Sequence, residues 1–228
     1  MLNRAVQHVT VSLMGVILGC TPILSAPEEG AGNGARLRVV HASPDAPAVD
    51  VCANGAVVFD NASFPGATAY ATVPAATYAV RVVPAGAGCD SAGVINAQLT
   101  PAAGTDTTVV ALNTLNAIEP LVLSDDNAAP TAGKSKVRFV HASPNAPTVD
   151  VTLPDGTTLF NDISFKQNGG YIEVPAGTYT LQVRDQTGTS VVLSVGPVTL
   201  TSGKVYTVFA VGLAGGNPPL DALLTVDN

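Results

Sequence analysis

From residue 36 onward, apolar and polar residues alternate in short runs, each closed by glycine, proline, asparagine or aspartate. That period-two pattern is the mark of half-buried strands. In the first half of the chain it predicts strands near 36–42, 47–52, 56–60, 69–73, 77–83, 94–99, 106–112 and 119–124, and no segment carries a convincing helical period. Asn54-Gly55 and Asp155-Gly156 predict tight hairpins, because a type I′ turn needs positive φ at both central residues and these residue types tolerate it.

The pattern repeats. Arg38-Val39-Val40-His41-Ala42-Ser43-Pro44-Asp45-Ala46-Pro47-Ala48-Val49-Asp50-Val51 returns one hundred residues later, from Arg138 to Val151, with changes only at Val39, Asp45 and Ala48. A one-residue insertion at the first hairpin then aligns Phe59 with Phe160, Tyr70 with Tyr171, Tyr78 with Tyr179 and Asp126-Asn127 with Asp227-Asn228. One unit made twice predicts an all-β protein of two tandem antiparallel β-sandwich domains, immunoglobulin-like or transthyretin-like, over 36–127 and 136–228. Between them, 128–135 is a linker stiffened by Pro130. Two beads of restricted relative motion are the natural picture, with packing of one on the other left open.

The first twenty residues have a different character. Arg4 precedes an apolar run from Val9 to Leu18 and then Gly19-Cys20. Ten helical residues reach about 15 Å, short of the roughly 30 Å of hydrocarbon in a bilayer, so 1–20 reads as a signal peptide. Ile17-Leu18-Gly19-Cys20 resembles the lipobox of bacterial lipoproteins, which implies lipidation at Cys20. Leu24-Ser25-Ala26 offers an ordinary cleavage site as the alternative. The stretch 21–35, rich in Pro and Gly, suits a flexible tether. Loss of the signal takes one of the 10 basic residues and none of the 17 acidic ones. An acidic surface argues against nucleic acid, and against a membrane except through the lipid. Lys134, Lys136 and Arg138 read as a charged entry to a strand.

The motif His-Ala-Ser-Pro-Asp/Asn-Ala-Pro-x-Val-Asp-Val, with Val-Pro-Ala-Ala/Gly-Thr-Tyr at 73–78 and 174–179, resembles the bacterial cell-envelope family called domain of unknown function 4397. The resemblance covers both repeats. It implies an exported, surface-associated β-domain and brings no activity, cofactor or catalytic residue.

Candidate chemistry is sparse. His41 and His141 share strand parity with Leu37 and Val39, and with Val137 and Phe139, so their rings face the apolar side. A buried imidazole needs a partner, and Asp50 or Ser43, and Asp150 or Ser143, are near in sequence. One histidine per unit is a poor start for a metal site, and neither metal nor cofactor is expected. Ser43 and Asp45 lie too close along one turn to form a hydrolase triad with His41. Pro44 and Pro144 mark that turn, with Ser43 and Asp45 bonding local backbone. Asp125-Asp126 reads as a solvated strand end, with a calcium site as the alternative. Tyr70, Tyr171, Tyr78 and Tyr179 recur as framework, in the core or as tyrosine corners. Cys52 and Cys89 are expected to form a disulfide: the second repeat has Thr152 and, near the loop end, Thr189 or Ser190, so both thiols are missing together. Two unrelated small buried residues are the alternative.

The expected function is a non-catalytic cell-envelope protein, lipid-anchored or secreted, acting as a structural or protein-binding, adhesive module toward an envelope protein. A carbohydrate or cell-wall binder is the alternative, weakened by the absence of Trp. A secreted hydrolase is the remote one.

Overall fold

A computed structural model describes residues 34–228, so the expected signal, Cys20 and nearly all of the tether lie outside the described residues. The first copy forms β1 (Gly34–His41), β2 (Val49–Ala53), β3 (Ala56–Ala62), β4 (Gly66–Ala67), β5 (Ala71–Pro74), β6 (Tyr78–Pro84), β7 (Ile95–Leu99), β8 (Asp106–Leu112) and β9 (Glu119–Asp125). The second forms β10 (Lys134–His141), β11 (Val149–Thr152), β12 (Thr158–Ile163), β13 (Asn168–Pro175), β14 (Gly177–Asp185), β15 (Val191–Leu200), β16 (Val205–Val211) and β17 (Asp221–Val226). Among the described residues no helix is long and apolar enough to cross a membrane.

Each copy is a two-sheet sandwich. In the first, the order β4-β1-β8-β9, with β5 also on β1, faces the order β3-β2-β6-β7; in the second, β13-β10-β16-β17 faces β12-β11-β14-β15. Among the named strands, pairing is antiparallel with one exception per copy. β1 runs parallel to β8, and β10 to β16, which the alternation of side chains does not reveal. The first hairpin has Asn54 at φ 51° and Gly55 at φ 83°, as a type I′ turn requires. The second differs: only Gly156 is left-handed, at φ 89°, and the Asp155 carboxylate accepts a bond from the Thr157 amide at 2.9 Å. The extra residue there makes a longer turn.

The two sandwiches are not separate beads. Odd-numbered residues of β1 such as Leu37 and Val39 pack into the first copy's own core, and Val137 and Phe139 of β10 do the same in the second. The even faces meet instead. Val40, Val110 and Leu112 share one buried cluster with Val140, Phe209 and Val211. The two repeats therefore form a four-layer stack in which the sheets of β1 and β10 are covered on both faces, consistent with the seven-residue buried run of β16.

Within that shared face lies a closed ring of polar side chains. Arg38 Nε donates to Thr108 Oγ1 at 2.7 Å and Thr108 Oγ1 to Asp125 Oδ2 at 2.5 Å. Asp125 Oδ1 accepts from Arg138 Nη2 at 2.6 Å. Arg138 Nε donates to Thr207 Oγ1 at 3.2 Å, and Thr207 Oγ1 to Asp227 Oδ2 at 2.6 Å. Asp227 Oδ1 then closes on Arg38 Nη1 at 2.7 Å. Both ion pairs cross between repeats, and all four charged side chains are at most 2% exposed.

The ring corrects three expectations. Asp125 is no solvated strand end, Arg138 lies buried within β10 and not at a charged entry to it, and the equivalent of Asp227 is Asp125, one residue earlier than the alignment by motif suggests. Lys136 is buried as well, with its ammonium 2.8 Å from Asp126. The expected disulfide is present, joining Cys52 of β2 to Cys89 in the loop after β6 across a sequence separation of 37. In the second copy, Thr152 Oγ1 accepts a bond from Arg184 Nε at 3.2 Å instead.

Removing one partner from a buried pair strands the other charge, at a cost of about 3–5 kcal/mol. Arg138→Ala is therefore expected to lower the stability of the full chain by about that much in urea denaturation. Replacing both partners, as Arg138→Met with Asp125→Leu, recovers a large part of it. A change below about 1 kcal/mol for the single variant would show that the pair is solvated.

Candidate functional site

The duplicated signature forms the connection from β1 to β2, and from β10 to β11. His41 ends β1 and is fully buried. Its Nε2 lies 3.1 Å from the Pro47 carbonyl, and His141 Nε2 lies 3.0 Å from that of Pro147. A carbonyl can only accept, so Nε2 carries the proton and Nδ1 the lone pair. Phe64 and Phe165 meet the two rings edge-on, with centroids 6.2 and 6.3 Å away. The imidazole thus ties the strand end to the far side of its own loop. Burial pushes the pKa of both histidines below the ordinary imidazole value.

The partners expected from sequence proximity are engaged elsewhere. Asp50 accepts the Asn61 amide at 2.8 Å and the Gly86 amide at 2.9 Å, and these bonds hold its carboxyl below the usual range. Asp150 accepts the Asp162 amide at 2.8 Å. Asn61 and Asp162 are both left-handed, at φ 48° and 57°, so the carboxylates fasten a kink in β3 and β12 that a non-glycine residue disfavours. Ser143 Oγ donates to the Gly212 carbonyl at 2.7 Å, whereas Ser43 Oγ is buried without a partner.

Nor do Asp45 and Asn145 bond local backbone as expected for turn residues. Asp45 Oδ1 accepts the Leu115 amide at 2.7 Å. Asn145 Oδ1 accepts the Ala214 amide at 2.8 Å, and its Nδ2 donates to the Ala214 carbonyl at 3.0 Å. Each latches the signature turn, led by Pro44 or Pro144, to the loop that follows β8 or β16. A side-chain oxygen is all the latch requires, so aspartate and asparagine serve alike.

The tyrosines divide into two roles. Tyr78 and Tyr179 are corners, each donating to a backbone carbonyl four residues upstream, at Pro74 (2.8 Å) and Pro175 (2.7 Å). Tyr70 and Tyr171 instead lie against Arg38 and Arg138, with each guanidinium 4.7 Å from the ring centroid. Burial raises both phenols, that of Tyr171 to about 12. Sequence reasoning missed Thr108, Thr207 and the two arginines as a site. The available signal was an arginine at the same place in both copies, Arg38 and Arg138, on the strand face that alternates with Leu37 and Val39 or with Val137 and Phe139.

A sequence profile described as "Domain of unknown function (DUF4397)" matches residues 35–152 and 150–228. The chain belongs to the DUF4397 family. A search of curated proteins found no match. Among solved structures, this DUF4397 protein is similar to the C-terminal domain of AlgF from P. aeruginosa, at 20% identity over 42% of the chain and 99% of that domain, with a TM-score of 0.31. It is also similar to the Bacillus anthracis TIE protein, at 13% identity over 80% of the chain and 34% of that protein, with a TM-score of 0.23. Likenesses this remote carry no argument about what the DUF4397 chain does.

The buried histidines make stability depend on pH. The folded state disfavours the imidazolium, while the unfolded chain takes up protons near 6.5. Their contribution is complete above about pH 6.5 and is lost as the pH falls through that value toward the depressed folded one. Urea midpoints of the full chain are expected to drop between about pH 7 and 5. The double variant His41→Gln, His141→Gln flattens that stretch of the curve, and an unchanged slope would rule out the histidines as its source.

Proposed function

We propose that the protein is a non-catalytic module of the bacterial cell envelope, held by a lipid on Cys20, that acts as a rigid structural and protein-binding body. The observation that carries this reading is the engagement of the signature. In both copies the histidine Nε2, the aspartate at 50 or 150 and the residue at 45 or 145 each bond backbone of their own repeat. No serine hydroxyl, imidazole and carboxylate are brought together for nucleophilic chemistry among the described residues. A body whose repeated residues serve its own architecture has its loops, edges and outer faces left for recognition.

The anchor follows from Gly19-Cys20 and the apolar run before it. Intact mass of protein extracted from membranes is expected to show a mature chain beginning at lipid-modified Cys20; a start at Pro27 without lipid contradicts this. Cross-linking on intact cells tests the binding reading: discrete cross-links to envelope proteins support it. Sedimentation with purified peptidoglycan in the absence of such cross-links would favour a cell-wall binder. Hydrolysis of model esters or peptides that His41→Ala abolishes would favour an enzyme.

A further inference from the structure

The outer sheet of the first repeat carries a groove that the signature does not use. Two cross-strand rows lie on its outward face: Cys52, Arg81 and Asn96, then Asn54, Ala79 and Gln98. The short side chain of Ala79 keeps the floor low. The loop carrying Cys89 and Asp90 forms a wall, and the cleft encloses about 500 Å³.

That wall is fixed at three points. Cys89 is joined to Cys52, its carbonyl accepts from Arg81 Nη1 at 3.0 Å, and the Gly86 amide donates to Asp50 at 2.9 Å. A loop of Ala85-Gly86-Ala87-Gly88 would otherwise lose much conformational freedom on meeting a ligand. Pinned beforehand, it does not. The groups facing the groove are meanwhile incompletely used. Arg81 Nε donates to Asn96 Oδ1 at 3.2 Å, and Nη2 is left over. The Asp90 carboxylate and the Gln98 carboxamide make no bond within the described residues, and Arg81 and Asp90 are not paired with each other although both line the cleft.

Two opposite charges held apart in one groove, beside carboxamides, match a ligand carrying the complementary charges along a chain of amides. We propose that this groove binds an extended peptide segment that ends in a free carboxylate and bears a cationic side chain. The carboxylate meets Arg81 in a charge-assisted bond, the cation faces Asp90, and the Gln98 carboxamide satisfies peptide groups between them together with Asn54 Nδ2, the Asn54 Oδ1 being engaged by the Ala79 amide at 2.9 Å. The lining holds no aromatic ring on which a sugar would stack. The second repeat has Gln182 where the first has Arg81, each opposite the matching residue of β11 or β2, so the recognition belongs to the first copy. This inference deepens the protein-binding reading and rests on it.

The test is titration of the full chain with the free-acid peptide acetyl-Ala-Lys-Ala-Ala, followed by amide NMR shifts. Saturable changes are expected at Arg81, Asp90 and Gln98, with binding weakened roughly tenfold or more by C-terminal amidation, by Lys replaced with norleucine, by Arg81→Gln and by Asp90→Asn. Asp90→Asn disturbs no internal bond and keeps the test valid where Arg81→Gln loosens the loop. Absence of saturation, shifts centred elsewhere, equal binding of the amidated peptide, or occupancy by a chitin tetrasaccharide instead would each overturn the proposal. If the peptide fails while cross-links to envelope proteins persist on cells, the groove assignment falls alone; if both fail, the protein-binding reading falls with it.

Discussion

Two arginines, two threonines and two aspartates, closed into one ring between the repeats, are the constraint on which the rest of the architecture depends. Each arginine is placed by a central strand of its own repeat, and each is neutralised only by the other repeat's carboxylate. Neither sandwich can bury its half of the ring alone. The threonines matter as much as the charges, because each accepts from an arginine and donates to an aspartate, so all four charged groups keep bonded partners away from water. With the apolar cluster around Val40, Val140 and Phe209, the ring turns two similar domains into one body with an approximate twofold relation.

The same constraint explains the double life of β1 and β10. One face of each strand serves its own sandwich through Leu37 and Val39, or Val137 and Phe139; the other serves the partner through Arg38 and Val40, or Arg138 and Val140. Attraction between sheet faces alone is tolerant of sliding, whereas two reciprocal ion pairs close together in a single placement. The interlock fixes how the outer sheets and their loops are presented, including the pinned groove beside the disulfide.

Much of this was legible in the sequence. The strands follow from alternation and turn residues, and the disulfide from two thiols missing together in the second copy. The inner face is not legible there, because a period-two pattern ordinarily implies a solvent side. The contrary signals are the four successive apolar residues Val208 to Val211 and an arginine at the same place beside Val40 and Val140 in both copies. Asp125 escapes because the connection into the last strand is longer in the second copy, with 17 residues from Thr108 to Asp125 and 20 from Thr207 to Asp227, without a motif to show it. The histidine partners were missed for another reason: they are the backbone carbonyls of Pro47 and Pro147, and side-chain chemistry nominated Asp50 and Ser43 instead. Asp45 and Asn145 reach loops some seventy residues away, a distance no local turn rule contains.

Native-state hydrogen exchange of the full chain, resolved by residue, tests most directly whether the ring and the shared core make one cooperative unit. Amides of β8 and β16, the central partners of β1 and β10, are expected to exchange through openings of equal free energy, the global value, and to show the same denaturant dependence. If one repeat's central strand opened at a clearly lower free energy than the other's, the repeats would be separately stable domains in contact, and the interlock would not govern the fold.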